Sequence, residues 1–294
     1  MSNRILLDNA IASWISAIKY CNNILNGQVD FLTRKSFVNS LHNSIELFLK
    51  QIMIDNLDYR IGHFKKINEK GIPAKEYYNS NNLNDFLKSN HKDFISVSFG
   101  ELTYKYLDNI IKISCPTNIS NINIEMIREG MKKLIYLRNE ETHFYVNINT
   151  FLNEQEFLVL YDLLIEFSKF LQKNKFLGFF GKPNFEHRNC FIENIKIPRQ
   201  SFSYKELIKN SNYYVKLKKL LHNKSFDNCS NLNTYCLCQD IFFIINSNKV
   251  FNLNDFEKFY NEIKLLKKYK LIETIENKSI EQIKIYSSIT FRFL

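Results

Sequence analysis

The chain has 294 residues, of which 45% are apolar and 15% aromatic, with only 7 glycines and 4 prolines. This composition excludes an intrinsically disordered protein, and the shortage of breakers favours long helices over a turn-rich β-sandwich. The net charge is +10, with 21 basic and 19 acidic residues in 1–180 against 19 and 11 in 181–294. The basic excess in the last third is typical of an end that binds nucleic acid, although a solvated basic surface is the alternative.

The sequence predicts a cytoplasmic protein that needs no metal or cofactor. Its first residues lack the basic and apolar regions of a signal peptide, and the apolar stretch Phe157 to Phe170 is interrupted by Asp162 and Glu166. We therefore expect no membrane partner. The six cysteines are scattered without the paired spacings of a structural zinc site, and no Walker or dinucleotide-binding pattern occurs.

Apolar residues at steps of three and four predict a helical N-terminal part. The predicted helices are Ile5 to Leu25, Phe37 to Ile54, Leu102 to Ile113, Ile122 to Leu137 and Leu152 to Leu171. Residues 62–95 are polar and rich in turn formers, which predicts loops and short helices. The densest cluster of glycine and proline lies in 174–203, so we place the domain boundary there.

The C-terminal part contains both the spacing of three and four residues that is typical of helices and the alternation that is typical of strands. It is predicted to contain helices at Tyr204 to Leu221, Cys236 to Asn246 and Asn254 to Lys270, and strands at Leu271 to Glu276, Ile280 to Tyr286 and Phe291 to Phe293. The first two strands would be joined by a turn at Asn277-Lys278-Ser279. A basic helix followed by a hairpin suggests a winged helix-turn-helix, with Lys264, Lys267, Lys268 and Lys270 as candidate nucleic-acid-binding residues. A small α+β domain with a solvated lysine face is the alternative.

The fold class is thus mainly α, with a smaller α+β domain at the C-terminus. We assign residues 1–178 to the helical domain, 179–203 to a linker and 204–294 to the basic domain.

One motif carries recognisable chemistry. Arg138 is followed by Asn139 and, after four intervening positions, by His143 at the end of an amphipathic helix. A histidine titrates near neutral pH and can exchange protons, while an arginine fork suits two phosphate oxygens. These properties suit metal-independent cleavage of RNA, in which His143 would deprotonate the 2′-hydroxyl or protonate the leaving 5′-oxygen and Arg138 would stabilise the phosphorane. A structural Arg138–glutamate pair and a core His143 are the alternative.

This motif resembles the R-x4–6-H element of the HEPN superfamily, in which a polar residue, often Asn, follows the Arg. The segment Ser44-Ile45-Glu46-Leu47-Phe48-Leu49-Lys50 is similar to the second helix of many HEPN proteins, and it precedes the Arg-His motif by about ninety residues. The resemblance covers residues 1–175. It implies a HEPN-like helical bundle and an endoribonuclease of a toxin or antiphage abortive-infection system, with an RNA substrate and an antitoxin or phage-derived trigger as partners.

The resemblance also implies a homodimer in which two Arg-His motifs face one cleft. Five residues of continuous helix would turn His143 by about 140° from Arg138, so we expect either a bend near Glu140–Thr142 or a site completed by the partner. His42, Glu46 and Lys50 lie on one ridge of their helix and are candidates to line the same cleft. A solvated ridge with a Glu–Lys pair is the alternative.

The alternative function is a non-catalytic regulator. In that interpretation the helical domain only dimerises, the Arg-His motif is structural, and the winged-helix-like end binds DNA.

Overall fold

A computed structural model describes residues 6–64, 76–88, 93–115, 122–142, 151–174, 199–212, 214–215, 218, 242, 253–278 and 287–293. The described residues are mainly helical, with two small antiparallel sheets. The chain forms two compact units. Unit 1 consists of Met1–Asn22 and Phe31–Ser201, and unit 2 of Asn23–Asp30 and Phe202–Leu294. No helix among these described residues has both the length and the apolar character needed to cross a membrane.

The helices and strands of unit 1 follow the chain in this order. They are α1 (Leu7–Leu25, whose last turn belongs to unit 2), α2 (Phe31–Asp55), β1 (Gly62–Phe64), α3 (Leu83–Lys88), β2 (Phe94–Ser96), α4, α5 (Ile124–Thr142) and α6 (Glu154–Lys173). Helix α4 has three consecutive parts: an α-helical turn at Phe99–Glu101, a π-helical segment at Leu102–Tyr106 and an α-helix at Leu107–Ser114.

Aromatic side chains join α1, α2 and α6 in the core of unit 1. The Trp14 ring is fully buried and lies 6.2 Å from the ring of Phe48 and 5.7 Å from that of Phe167, measured between centroids. Burial of such rings is the main source of stability in a helical unit of this kind, since each removes a large apolar area from water. These contacts fix α2, which carries one side of the candidate site.

A close approach between α5 and α6 fixes the position of α5, which carries the other side of the candidate site. Gly130 of α5 faces Leu163 of α6 so closely that a Cβ atom at position 130 would lie 2.4 Å from the Cβ of Leu163. Helix α6 begins with a capping box, in which Asn153 and Glu156 each accept a hydrogen bond from the other's backbone N–H. Just before that cap, the buried Arg34 of α2 donates hydrogen bonds to the carbonyls of Phe151 and Leu152.

Several predicted boundaries in unit 1 are corrected. Helix α2 begins at Phe31 rather than Phe37, and α5 continues to Thr142 rather than ending at Leu137. The helix does not break before Thr142, because Glu140–Thr142 are helical. The segment 62–95 also contains strands that were not predicted: β1 pairs with β2 in antiparallel register, with Gly62 opposite Ser96.

Unit 2 contains α7 (Tyr204–Lys209), α8 (Leu253–Lys268), β3 (Ile272–Lys278) and β4 (Ser287–Phe293). The predicted helix Tyr204 to Leu221 is interrupted, because α7 has its C-cap at Asn210. Beyond that cap, the described residues Asn212, Tyr214, Val215 and Lys218 are helical again. Strand β3 pairs with β4 in antiparallel register, Ile272 opposite Phe293. The predicted turn at 277–279 is wrong for Asn277 and Lys278, which are in β3, whereas the predicted strand 280–286 and most of the predicted helix 236–246 lie outside the described residues.

Candidate functional site

The side chain of Arg138 lies against α2. Its Nη1 is 2.8 Å from Nδ1 of His42, and the Arg138 residue as a whole is exposed while His42 is buried. A guanidinium can only donate hydrogen bonds, so Nδ1 of His42 is the acceptor and the proton of the neutral imidazole is on Nε2. The contact joins two helices whose residues are 96 positions apart in the chain.

The surroundings of His42 keep it neutral. Burial, followed by the charge of Arg138, lowers the pKa of His42 from 6.5 to about 4, although Glu46 acts in the opposite direction. The imidazole also stacks on the ring of Phe99, with 4.1 Å between the centroids. A histidine with this pKa carries almost no proton at neutral pH, so its Nδ1 is able to accept the hydrogen bond from Arg138.

Glu46 and Lys50 continue the ridge from His42. The Nζ of Lys50 donates to Oε1 of Glu46 at 2.7 Å and to Oγ of Ser96, at the end of β2, at 2.9 Å. The other carboxylate oxygen of Glu46 lies 3.7 Å from Nδ1 of His42. The four side chains thus form a connected group, which we call the Arg138 cluster: Arg138, His42, Glu46 and Lys50.

The rest of the Arg-His motif is only partly described. Asn139 is exposed on α5. Glu140 accepts a hydrogen bond of 2.5 Å from the hydroxyl of Tyr136, one turn earlier. Two residues of helix rotate a side chain by about 200°, so Glu140 points away from the face that carries Arg138. His143 lies outside the described residues.

The Arg138 cluster has the charge expected of a phosphate-binding site. At neutral pH it holds two cations, one carboxylate and a neutral imidazole, which gives a net charge of +1. An anion that approaches α5 from solvent therefore meets a cation whose orientation is already fixed, which lowers the entropic cost of binding.

Sequence reasoning did not find two members of this environment. Ser96, the last residue of β2, contacts Lys50, and Phe99, the first residue of α4, contacts His42. The strands involved are three residues long, too short for an alternating pattern. The only available signal was Ser98 three residues before Glu101, a capping box that marks the start of α4.

The candidate lysines of unit 2 lie at the end of α8. Lys264, Lys268 and Lys270 are exposed and Lys267 is partly buried. The Nζ of Lys264 is 4.1 Å from the ring centroid of Tyr260, and that of Lys268 is 5.2 Å from the ring centroid of Tyr269. These positions give unit 2 a basic surface at the junction of α8 and β3.

A cavity of about 440 Å³ also lies in unit 2, lined by Glu262 together with Asn26, Asn210 and Asn212. Burial, followed by the charge of Asp30, raises the pKa of Glu262 to about 7.

No group of three or more histidine, cysteine or carboxylate side chains positioned to hold a metal ion occurs among the residues that the structure describes. Comparison with known proteins found no match, whether among family models, curated proteins or solved structures. The likeness to HEPN proteins consequently rests on the two motifs in the sequence.

Proposed function

We propose that the chain is a metal-independent endoribonuclease of the HEPN type. Arg138 binds the scissile phosphate and stabilises the charge of the phosphorane, His143 exchanges the proton of the 2′-hydroxyl or of the leaving 5′-oxygen, and Asn139 assists at the phosphate. The observation that supports this proposal is the contact between Arg138 and the neutral His42, which orients an exposed guanidinium at a site of net charge +1.

The chemistry assigns different tasks to the two histidines. Because the pKa of His42 is about 4, it is a poor proton carrier at neutral pH, and the transfer is left to His143. His42, Glu46 and Lys50 act as positioning residues. The fold accompanying this function is a HEPN-like bundle that forms a homodimer, with the second motif supplied by the partner.

The decisive measurement is RNA cleavage in EDTA. Wild-type protein is expected to cut RNA, and both Arg138→Ala and His143→Ala are expected to lose about 100-fold or more in rate, as when a single group that stabilises a transition-state charge is removed. Lys132→Ala is a matched control, because Lys132 is a cation on the same helix that forms only a surface ion pair with Glu129. RNA left intact by the wild type, or cut normally by both variants, contradicts the proposal.

The resemblance also suggests a cytoplasmic toxin or antiphage abortive-infection protein, held in check by an antitoxin or released by a phage-derived trigger. Induced expression of the wild type in bacteria should then arrest growth, while Arg138→Ala should allow it. Growth arrest by both proteins would mean that toxicity does not depend on RNA cleavage by Arg138.

A second function is favoured by a separate observation in unit 2. Helix α8 is followed within four residues by the β3–β4 hairpin, and exposed lysines lie at the junction. This order suits a winged-helix-like domain that binds DNA or RNA. Salt-dependent DNA binding by the full chain, weakened by Lys264→Glu with Lys268→Glu, would support a regulator. Binding that is unchanged by these substitutions would oppose it.

A further inference from the structure

A small cavity in unit 1 has three tyrosines in its wall. It has a volume of about 240 Å³ and lies beside β1, where its lining includes Tyr59, Tyr78 and Tyr106 together with Arg60 and Glu101. None of these five residues belongs to the Arg138 cluster. The volume is below the range of about 300–1,000 Å³ that is usual for pockets of drug-sized ligands, so the cavity suits a single flat ring system.

Hydrogen bonds hold this wall in place. The hydroxyl of Tyr59 donates to the carbonyl of Ser80 at 2.6 Å, and the buried Tyr77 donates to the carbonyl of Tyr59 at 2.6 Å. The rings of Tyr59 and Tyr78 are 5.5 Å apart. The Tyr59 ring is thus positioned before any ligand arrives, and Tyr78, which is 61% exposed, lies beside it at the opening.

Arg60 is fixed on another part of the wall. Its Nε and Nη2 donate to the two carboxylate oxygens of Asp58 at 2.8 and 2.6 Å, and its guanidinium carbon lies 5.1 Å from the ring centroid of Tyr106. The cation-binding face of Tyr106 is therefore already occupied by Arg60. A neutral aromatic ring can instead stack on Tyr59 and Tyr78.

The cavity adjoins the Arg138 cluster through β2 and the start of α4. Val97 lines the cavity, whereas Phe99, two residues further on, stacks on His42. Two residues span at most about 7 Å of chain. Ser96, which binds Lys50, directly precedes Val97. The segment from Ser96 to Phe99 therefore connects the cavity wall to the side chains that hold Arg138.

We propose that this cavity binds one base of the RNA substrate by stacking, while a neighbouring phosphate of the same strand contacts Arg138. The identity of the ligand as RNA rests on the proposed function. Stacking on aromatic side chains is the usual way in which proteins bind unpaired bases, and it tolerates different bases because every base has a flat face.

Equilibrium binding of a short single-stranded 2′-O-methyl RNA, which cannot be cleaved by 2′-hydroxyl attack, tests the proposal with the full chain. Tyr78→Ala is expected to weaken binding roughly tenfold, as for the loss of one stacked base. Tyr78→Phe keeps the ring and should bind like the wild type. Tyr104→Ala is the matched control, because Tyr104 is equally exposed, at 63%, but does not line the cavity.

An abasic strand of the same length gives a second measurement. The wild type should bind it more weakly than the normal strand, and Tyr78→Ala should not weaken it further. No binding by the wild type, equal affinities of wild type and Tyr78→Ala, or an equal loss in Tyr104→Ala would each overturn the base site.

The two proposals fail in different ways. If Tyr78-dependent binding is found but the wild type cleaves no RNA in EDTA, the base site stands and the nuclease assignment falls. If RNA is cleaved in an Arg138-dependent manner while Tyr78→Ala changes neither binding nor KM, the nuclease stands and the base site falls.

Discussion

Arg138 of α5 donates a 2.8 Å hydrogen bond to Nδ1 of His42 in α2, and this contact determines the state of both side chains. The imidazole gives the guanidinium a fixed direction, while the positive charge helps to keep the imidazole neutral. The pair therefore differs from a general acid–base pair, in which a histidine must gain and lose a proton near neutral pH.

The first prediction concerns the pKa of His42. In Arg138→Ala this pKa should rise, because the charge of Arg138 contributes to lowering it, although burial will keep it below 6.5. The measurement is a pH titration of the His42 ring signals by NMR. Lys132→Ala should leave the titration unchanged, since Lys132 pairs with Glu129 on α5. An identical His42 titration in wild type and Arg138→Ala would mean that the 2.8 Å contact does not exist in solution.

The second prediction concerns the acid stability of unit 1. The native pKa of His42, about 4, lies below its usual value of 6.5, so the unfolded chain binds more protons between these values. The neutral His42 therefore contributes to the free energy of unfolding. This contribution is fully present above pH 6.5 and about 3 kcal/mol of it is lost as the pH falls to 4. Hydrogen exchange of α2 peptides, corrected for intrinsic rates, should show this loss. In His42→Gln this loss of stability at acid pH should be smaller. If the variant loses as much stability as the wild type, groups other than His42 cause the loss.

Spacing along the sequence predicted most helices of unit 1, because their buried faces repeat at three and four residues. It missed the start of α2, where the four polar residues 33–36 interrupt the apolar spacing and the buried Arg34 binds carbonyls 117 and 118 residues away. It placed His42, Glu46 and Lys50 on one ridge, since that is a property of a single helix. That Arg138 meets this ridge depends on how α5 packs in the tertiary fold, which local spacing does not encode. The register of β3 with β4 was missed for the same reason.

The third prediction concerns Gln51, a fully buried amide in α2. Its Oε1 accepts from the backbone N–H of Leu6 at 3.0 Å, and its Nε2 donates to Asp55 at 2.9 Å and to Asn84 at 3.2 Å. Gln51→Leu leaves these groups without that partner and should lower the free energy of unfolding by about 2–3 kcal/mol. The measurement is urea unfolding. Asn43→Ala, which removes an exposed α1–α2 hydrogen bond to Ser13, should cost roughly 0.5–1 kcal/mol. If Gln51→Leu and Asn43→Ala lower the free energy of unfolding equally, the buried hydrogen bonds of Gln51 are contradicted.

The fourth prediction concerns the contact of α5 with α6, which holds the helix that carries Arg138. A Cβ atom at Gly130 would lie 2.4 Å from the Cβ of Leu163 and 2.9 Å from its Cδ2, so Gly130→Ala must push the two helices apart or shift Leu163. We expect a loss of about 1–3 kcal/mol in the free energy of unfolding, as for other overpacked cores.

Gly100→Ala is the matched control, because the nearest atom to a Cβ there is Ser98 Oγ at 3.9 Å. That substitution in the first turn of α4 should be neutral or should stabilise by up to about 1 kcal/mol, since alanine restricts the unfolded chain. If Gly130→Ala is as stable as Gly100→Ala, the close approach of α5 and α6 is wrong, and with it the position of Arg138 against α2.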